Sequence, residues 1–310
     1  MGKLRFNNRA EWLAGRRQGI GASEWAGIMR PVLVEADRCP YSTPYTIWCD
    51  KLNLIPERKL TSSQEWGLRH EPTVAQAVAD YTGRQIVLAE EWTMYRADDV
   101  PYLQASPDSF QKAADKDGPG TLQIKTAAFF KRDDWRDEEG NERPPMPFQI
   151  QLQAEMRVTG CKWGSLAVLV GGNRLFGPYD FDRNEGFLKT AEPRLAEFWD
   201  SVLTGREPEI DGAEADGELL KALYPSAKPG VPPVELSDEF IPIVEEWQEQ
   251  RKIRLASEKL EDAAKVKIAA AMKDAAIGIL PDGRKITYPV IDRSGYTVEA
   301  GSYRRLGLSK

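Results

Sequence analysis

The chain has 310 residues, 41% of them hydrophobic and 29% charged, with a formal net charge of −6. These are the proportions of a water-soluble globular protein holding one large domain or a core plus an appendage, and no apolar run nears the ~20 residues that cross a bilayer. Three scattered cysteines (Cys39, Cys49, Cys161) and one histidine (His70) exclude a disulfide framework, a zinc pattern and multi-histidine metal chemistry. The cysteines read as free thiols of a reducing cytoplasm.

The N-terminus lacks the apolar stretch of a secretory signal, and Phe6 stands where a myristoylation motif needs Ser or Thr. Residues 4–30 predict a helix, a loop and a second helix. Arg16 and Arg17 precede the turn Gly19-Ile20-Gly21-Ala22-Ser23, and Ser23 is placed to cap a helix beginning at Glu24. Backbone amides at such a helix start, with an arginine beside them, form a seat for a phosphate, although an ordinary cap reads the same way. A short helix follows the aromatic stretch 40–54. Residues 63–83 predict a longer one, with Val74, Val78 and Tyr81 on its apolar side, Gly83 as its stop and Pro72 as a kink or restart. Glu71 lies just before that proline.

Strands are predicted over 85–96 and 100–105, with a turn at Asp98-Asp99. The second is expected to end in Pro107-Asp108. After a Lys-, Asp- and Gly-rich loop, Thr121–Lys125 form another strand, in which Gln123 and Lys125 project to one side. Asp108 on the neighbouring strand brings an acid, an amide and a lysine into one small volume. With Glu at 123, such a set would hold Mg²⁺ and polarise a phosphodiester. Residues 131–147 are charged and proline-rich and predict a loop, a possible substrate lip containing Lys131 and Arg132. A helix over 148–159 buries Ile150, Ala154 and Val158 and presents Gln149, Gln151, Gln153 and Glu155. A hairpin over 162–182 and a helix over 185–204 complete an α/β (α+β) layout around a mixed sheet flanked by helices. Residues 205–236 have the composition of a linker or arm. A long charged helix with irregular apolar spacing, a hairpin turning at Asp282-Gly283, and a basic tail (Arg304, Arg305, Lys310) occupy 237–310.

Several motifs stand in a telling order: Arg17-x-Gly-Ile-Gly-Ala-Ser23, Tyr41-x-x-Pro-x-x-x-Trp48, Trp66-Gly-x-x-x-Glu71, Tyr81-Thr-Gly83, Ser106-Pro-Asp108, Gln123-Ile-Lys125 and Gln151-x-Gln153-x-x-Met156-x-Val-Thr159. Together they resemble the YqaJ-like viral recombinases, a family that includes the lambda-type alkaline exonucleases of the PD-(D/E)xK nuclease superfamily. The resemblance covers about residues 10–204 and implies a restriction-endonuclease-like core over 1–204. It implies metal ligation by Asp108, Glu71, residue 123 and the Ile124 carbonyl, with two Mg²⁺ ions (Mn²⁺ as a substitute) per site. Lys125 would orient the attacking water, Gln151 would contact the scissile region, and Arg17 and Ser23 would anchor a 5′-phosphate. Arg16, Lys131 and Arg132 would line the DNA groove beside them.

The implied activity is 5′-to-3′ digestion of linear double-stranded DNA, leaving 3′ single strands for recombination. The implied assembly is a ring-shaped homotrimer working with a single-strand annealing protein in the cytoplasm of a bacterial host, encoded by a phage or prophage, with no membrane partner. Residues beyond 205 lie outside the resemblance, and packing on the core is their simplest role. Gln123 departs from the family's acid. It stands for a deliberate Glu→Gln inactive variant, for a natural homologue with weakened or lost activity, or for a site whose acid has moved, with Glu155 the nearest candidate. The first is preferred because every other site position is intact. The alternative function is a DNA-end-binding protein without catalysis. A nuclease of a CRISPR adaptation or restriction system is a third, against whose iron–sulfur members the missing cysteine cluster argues.

Overall fold

The computed structural model describes residues 1–55, 59–292, 295, 304–305 and 307–308; Lys310 lies outside them. Two compact units, Met1–Tyr224 and Pro225–Lys310, make up the chain. In chain order the first unit contains β1 (Gly2–Arg5), α1 (Arg9–Arg16), β2 (Ile20–Gly21), α2 (Trp25–Ile28), α3 (Pro44–Lys51), α4 (Ser62–Thr82), β3 (Gln85–Leu88), β4 (Thr93–Arg96), β5 (Leu103–Ala105) and β6 (Ser109–Lys112). It continues through β7 (Gly120–Ala127), α5 (Met146–Thr159), β8 (Trp163–Val170), β9 (Arg174–Asp182), α6 (Glu185–Thr204) and α7 (Glu214–Leu223). The second unit contains α8 (Phe240–Met272) and the hairpin β10 (Ile277–Ile279)–β11 (Lys285–Thr287). None of the described residues of α8 is buried.

The strands of the first unit divide into a five-stranded sheet, β3-β6-β7-β8-β9, and a four-stranded one, β1-β4-β5-β2. The single sheet expected from sequence is cut at Ser106-Pro107-Asp108. Pro107 has no N–H to continue a ladder, so β5 pairs with β4 and β2 while β6 starts afresh against β3 and β7. Asp108 therefore precedes a strand instead of ending one. Strands β7 and β8 run parallel from Thr121↔Gly164 to Ala127↔Val170, and α5 is the helix of the crossover between them.

Alternation along β7 assigns its faces. Leu122 and Ile124 pack with Val74, Ala75 and Val78 of α4, whereas the side of Gln123 and Lys125 faces α5. Tyr81, expected on the buried side of α4, is 77% exposed: the sheet's apolar side chains are already engaged by residues 74–78. The helix passes through Pro72 without restarting, and Gly83 stops it in the left-handed conformation (φ 69°) that an L side chain resists.

Helix α5 is enclosed on several sides. Ile150, Ala154 and Val158 meet the cluster of Trp25, Ile28, Leu188 and Leu195, while Leu152 and Met156 meet Cys161 and Leu166. Helix α7 arises within the stretch whose composition suggested an arm. Leu219 and Asp216 are buried one turn apart, and the Thr43 hydroxyl at the start of α3 donates to Asp216. Among the described residues, no helix is long and apolar enough to cross a membrane.

Candidate active site

A groove of about 960 Å³ crosses the first unit. Arg16, Arg17 and Ser23 line it together with Glu71, Pro72, Pro107 and Asp108, and Trp12, Tyr41 and Trp92 are among the walls. Both sets hang on β5. Ile20 and Gly21 of β2 pair in parallel with Leu103 and Gln104, and Asp108 follows three residues after β5 ends. Gly19 makes this approach possible, since a Cβ there would stand 2.4 Å from the Tyr102 carbonyl oxygen.

Beside the arginines, Ser23 is exposed and sits within a 3₁₀ turn, Ala22–Glu24, so it is not the expected helix cap. The Gly21 N–H donates to the Glu24 carboxylate instead (2.7 Å). Glu24 also receives Lys51 Nζ (2.6 Å) and Arg16 Nη2 (3.4 Å). Lys51 is wholly buried and donates as well to the Arg16 carbonyl (3.0 Å). Burial lowers its pKa, opposed by the adjoining Glu24. Arg16 Nη2 reaches Ser23 Oγ (3.3 Å) and its guanidinium lies over the Trp12 ring, while Arg17 donates to the Asp50 carbonyl (3.1 Å) and faces its carboxylate (3.5 Å). The arginines are thus held in place by acids. Glu24, Lys51 and Asp50 were not singled out from sequence. The one available signal was Lys51 on the same side of α3 as the buried Ile47 and Trp48.

Among the acids, Asp108 Oδ2 accepts from the Ile124 N–H (2.7 Å), which ties it to the middle of β7. Lys125 Nζ donates to Gln151 Oε1 (3.3 Å) and lies over the Phe148 ring. Gln123 and Glu155 are both fully buried. The Gln123 amide satisfies its surroundings best with its nitrogen donating to the Phe148 carbonyl (3.2 Å) and its oxygen accepting from Lys125 Nζ (3.2 Å) and from the Gln151 amide. The opposite placement leaves its nitrogen a single acceptor, Glu155 Oε1 at 3.3 Å. Gln151 Nε2 donates to the same Glu155 oxygen (3.1 Å).

Three carboxyl groups here are pushed upward. Glu71 rises to about 7 through burial and then through the charge of Asp108, partly offset by Lys125. Burial also raises Asp108 against the pull of Lys125 and the Ile124 N–H. It raises Glu155 well above its ordinary value, with Asp108 adding to the effect. Acids that resist ionisation together are relieved by a cation among them. Among the described residues, no three His, Cys, Asp or Glu side chains stand close enough to hold an ion unaided. The hard oxygens of Asp108, Glu71 and the Gln123 amide nonetheless suit Mg²⁺, which needs only one or two carboxylates and keeps several waters.

The remaining expectations divide. Lys131 pairs with Asp134 and Arg132 with Asp133, on a 3₁₀ segment (Phe129–Trp135) anchored by buried Trp135, and neither lines the groove. The short-range acids of that segment take up both cations. Gln153 is structural: it donates to the Asp182 carbonyl (3.0 Å) and accepts from the Asn184 N–H (2.8 Å).

Fold and site together define a mixed α/β protein whose groove is lined by fixed arginines and by Glu71 and Asp108, with Lys125 close to both acids. The profile of the YqaJ-like viral recombinase domain matches residues 11–162. The uncharacterized protein YqaJ of Bacillus subtilis (strain 168) is 28% identical over 224 residues, 70% of this chain and 64% of that relative, so the chain spans less than two thirds of its length. Similar solved structures include the alkaline exonuclease LHK-Exo of Laribacter hongkongensis, with a TM-score of 0.47 and 17% identity over 64% of this chain and 94% of that one. A phage-related exonuclease from Haemophilus somnus 129PT has a TM-score of 0.44 and 12% identity over 60% of this chain and 96% of that one. Over residues 11–162 the chain is thus similar to YqaJ-like viral recombinase domains.

Proposed function

We propose that the chain is a Mg²⁺-dependent deoxyribonuclease that digests linear double-stranded DNA from 5′ ends and leaves 3′ single strands for recombination. The observation that carries this reading is the groove itself, which is lined by Arg16, Arg17 and Ser23 as well as by Glu71 and Asp108. A 5′-terminal phosphate fits the arginines, where the guanidinium groups are already oriented and bidentate contacts are available. The scissile phosphate then lies against the acids. A divalent ion there supplies countercharge for the phosphate and a more acidic water. Asp108 and Glu71 are the carboxylates placed to hold it, Lys125 balances charge building on the phosphate, and Gln151 orients Lys125. Action as a ring-shaped trimer, with Mn²⁺ as a substitute ion and an annealing protein as partner, follows from the family resemblance and forms part of this proposal.

Nucleotide release from linear duplex in Mg²⁺ tests it, with 5′-phosphorylated and 5′-hydroxyl ends compared. Faster release from the phosphorylated end is expected. Binding of DNA ends with no release at high Mg²⁺ would favour the second reading, a non-catalytic end-binding protein, which the neutral Gln123 alone supports.

A further inference from the structure

Glu155 is an acid that the foregoing chemistry leaves without a role. Its side chain is 0% exposed. Oε1 accepts from Gln151, but Oε2 is shut off from solvent and has no donor within reach. Buried charges are paired with an opposite charge or coordinate a metal, because leaving a carboxylate half-satisfied is costly. Packing gives no reason for an acid at this position: Leu152, Ala154, Met156 and Val158 around it are apolar and buried.

Across from it stands Gln123. In the placement that satisfies this amide, its oxygen occupies the point 3.3 Å from Glu155 Oε1. When Glu155 is ionised, two acceptors then face each other, an arrangement that a cation resolves. Position 123 lacks the carboxyl group expected there, and the side chain directly opposite has one.

We propose that Glu155 supplies a further carboxylate to the divalent-cation site, taking the place of the acid absent at 123 beside Asp108 and Glu71, with the Gln123 amide oxygen as a neutral donor. The inference rests on the nuclease reading above. It gives the chain a working site whose acid stands on α5 instead of β7, with the number of negative charges unchanged. Glutamine at 123 then spares the site a second acid directly against Glu155.

Mn²⁺ binding, followed by loss of the free-ion electron paramagnetic resonance signal, tests this on the full chain alongside nucleotide release from 5′-phosphorylated duplex in Mg²⁺. The variants are Glu155→Gln, Gln123→Glu and the transposed pair Gln123→Glu/Glu155→Gln, with metal-free melting temperatures checking the fold. Glu155→Gln is expected to weaken Mn²⁺ binding by roughly tenfold or more and to stop release, without lowering the metal-free melting temperature. The transposed pair is expected to regain both properties. A structural role for Glu155 would instead lower the melting temperature and leave Mn²⁺ affinity alone, which overturns the inference. So does an unaltered chain that neither binds Mn²⁺ nor cleaves while Gln123→Glu alone gains both. Mn²⁺ binding that depends on Glu155, with no release from any version, sinks the nuclease reading and leaves Glu155 as a ligand. No Mn²⁺ binding by any version overturns both.

Discussion

The two sets of charges at the groove are held in opposite ways. Beside the arginines, buried Glu24 is fully engaged by Lys51, Arg16 and the Gly21 N–H. In the acid set, Asp108, Glu71 and Glu155 crowd together with Lys125 as the nearby cation, and one Glu155 oxygen faces nothing. A buried charge with all its partners fixes the shape of its surroundings. One without them marks a place where something else binds. Stability should therefore draw more on the first set of charges, and the proposed chemistry on the second.

Substitutions separate the two. Lys51→Met should cost about 3–5 kcal/mol in urea unfolding, because it strands Glu24 in the interior; a loss below 1 kcal/mol would break the contrast. Lys125→Met should reduce nucleotide release by about 10²–10⁴-fold, on the scale of a lost catalytic group, while the melting temperature holds. A large drop in melting temperature would place Lys125 among the structural charges. Arg17→Ala should reduce the preference for 5′-phosphorylated over 5′-hydroxyl ends by about tenfold, in keeping with one lost charge-assisted bond. Release from 5′-hydroxyl ends should hardly change.

The smallest effect concerns pH. An acid whose pKa is higher folded than unfolded takes up a proton on folding, so its contribution to stability falls as pH rises. For Glu71 the fall runs from the ordinary value of 4.5 to about 7 and then levels off. The melting temperature in chelator should accordingly drop by a few degrees between pH 5 and pH 8, and Mg²⁺ should reverse the trend. A flat profile would mean that Glu71 is not pressed by its neighbours.

Much of this frame was legible in the residues. The hairpin of β8 and β9 and helices α4, α5 and α6 follow from apolar period and from glycine stops, and period-two alternation put Gln123 and Lys125 together on β7. Burial set by distant packing was not legible. Gln153 and Glu155 look like solvent-facing residues of an amphipathic helix, yet α5 is enclosed by α2, α6 and the sheet, so its polar side chains must find partners inside. Ser23 has the chemistry of a cap, but the Glu24 carboxylate reached the Gly21 amide first. Residues 214–223 read as an arm because only Leu219 and Asp216 are deeply buried, too few to impose a period.

The pairing of Ile20 and Gly21 with β5 has a consequence for the product of such an enzyme. Under the proposed function it would tie the distance from the terminal-phosphate grip to the cutting point to one short strand and the three residues after it. In the proposed nuclease this spacing would act as a ruler for how many nucleotides leave with each cut. One residue inserted between Ala105 and Asp108 should lengthen or blur the released fragment, a change that chromatography of the products would read directly.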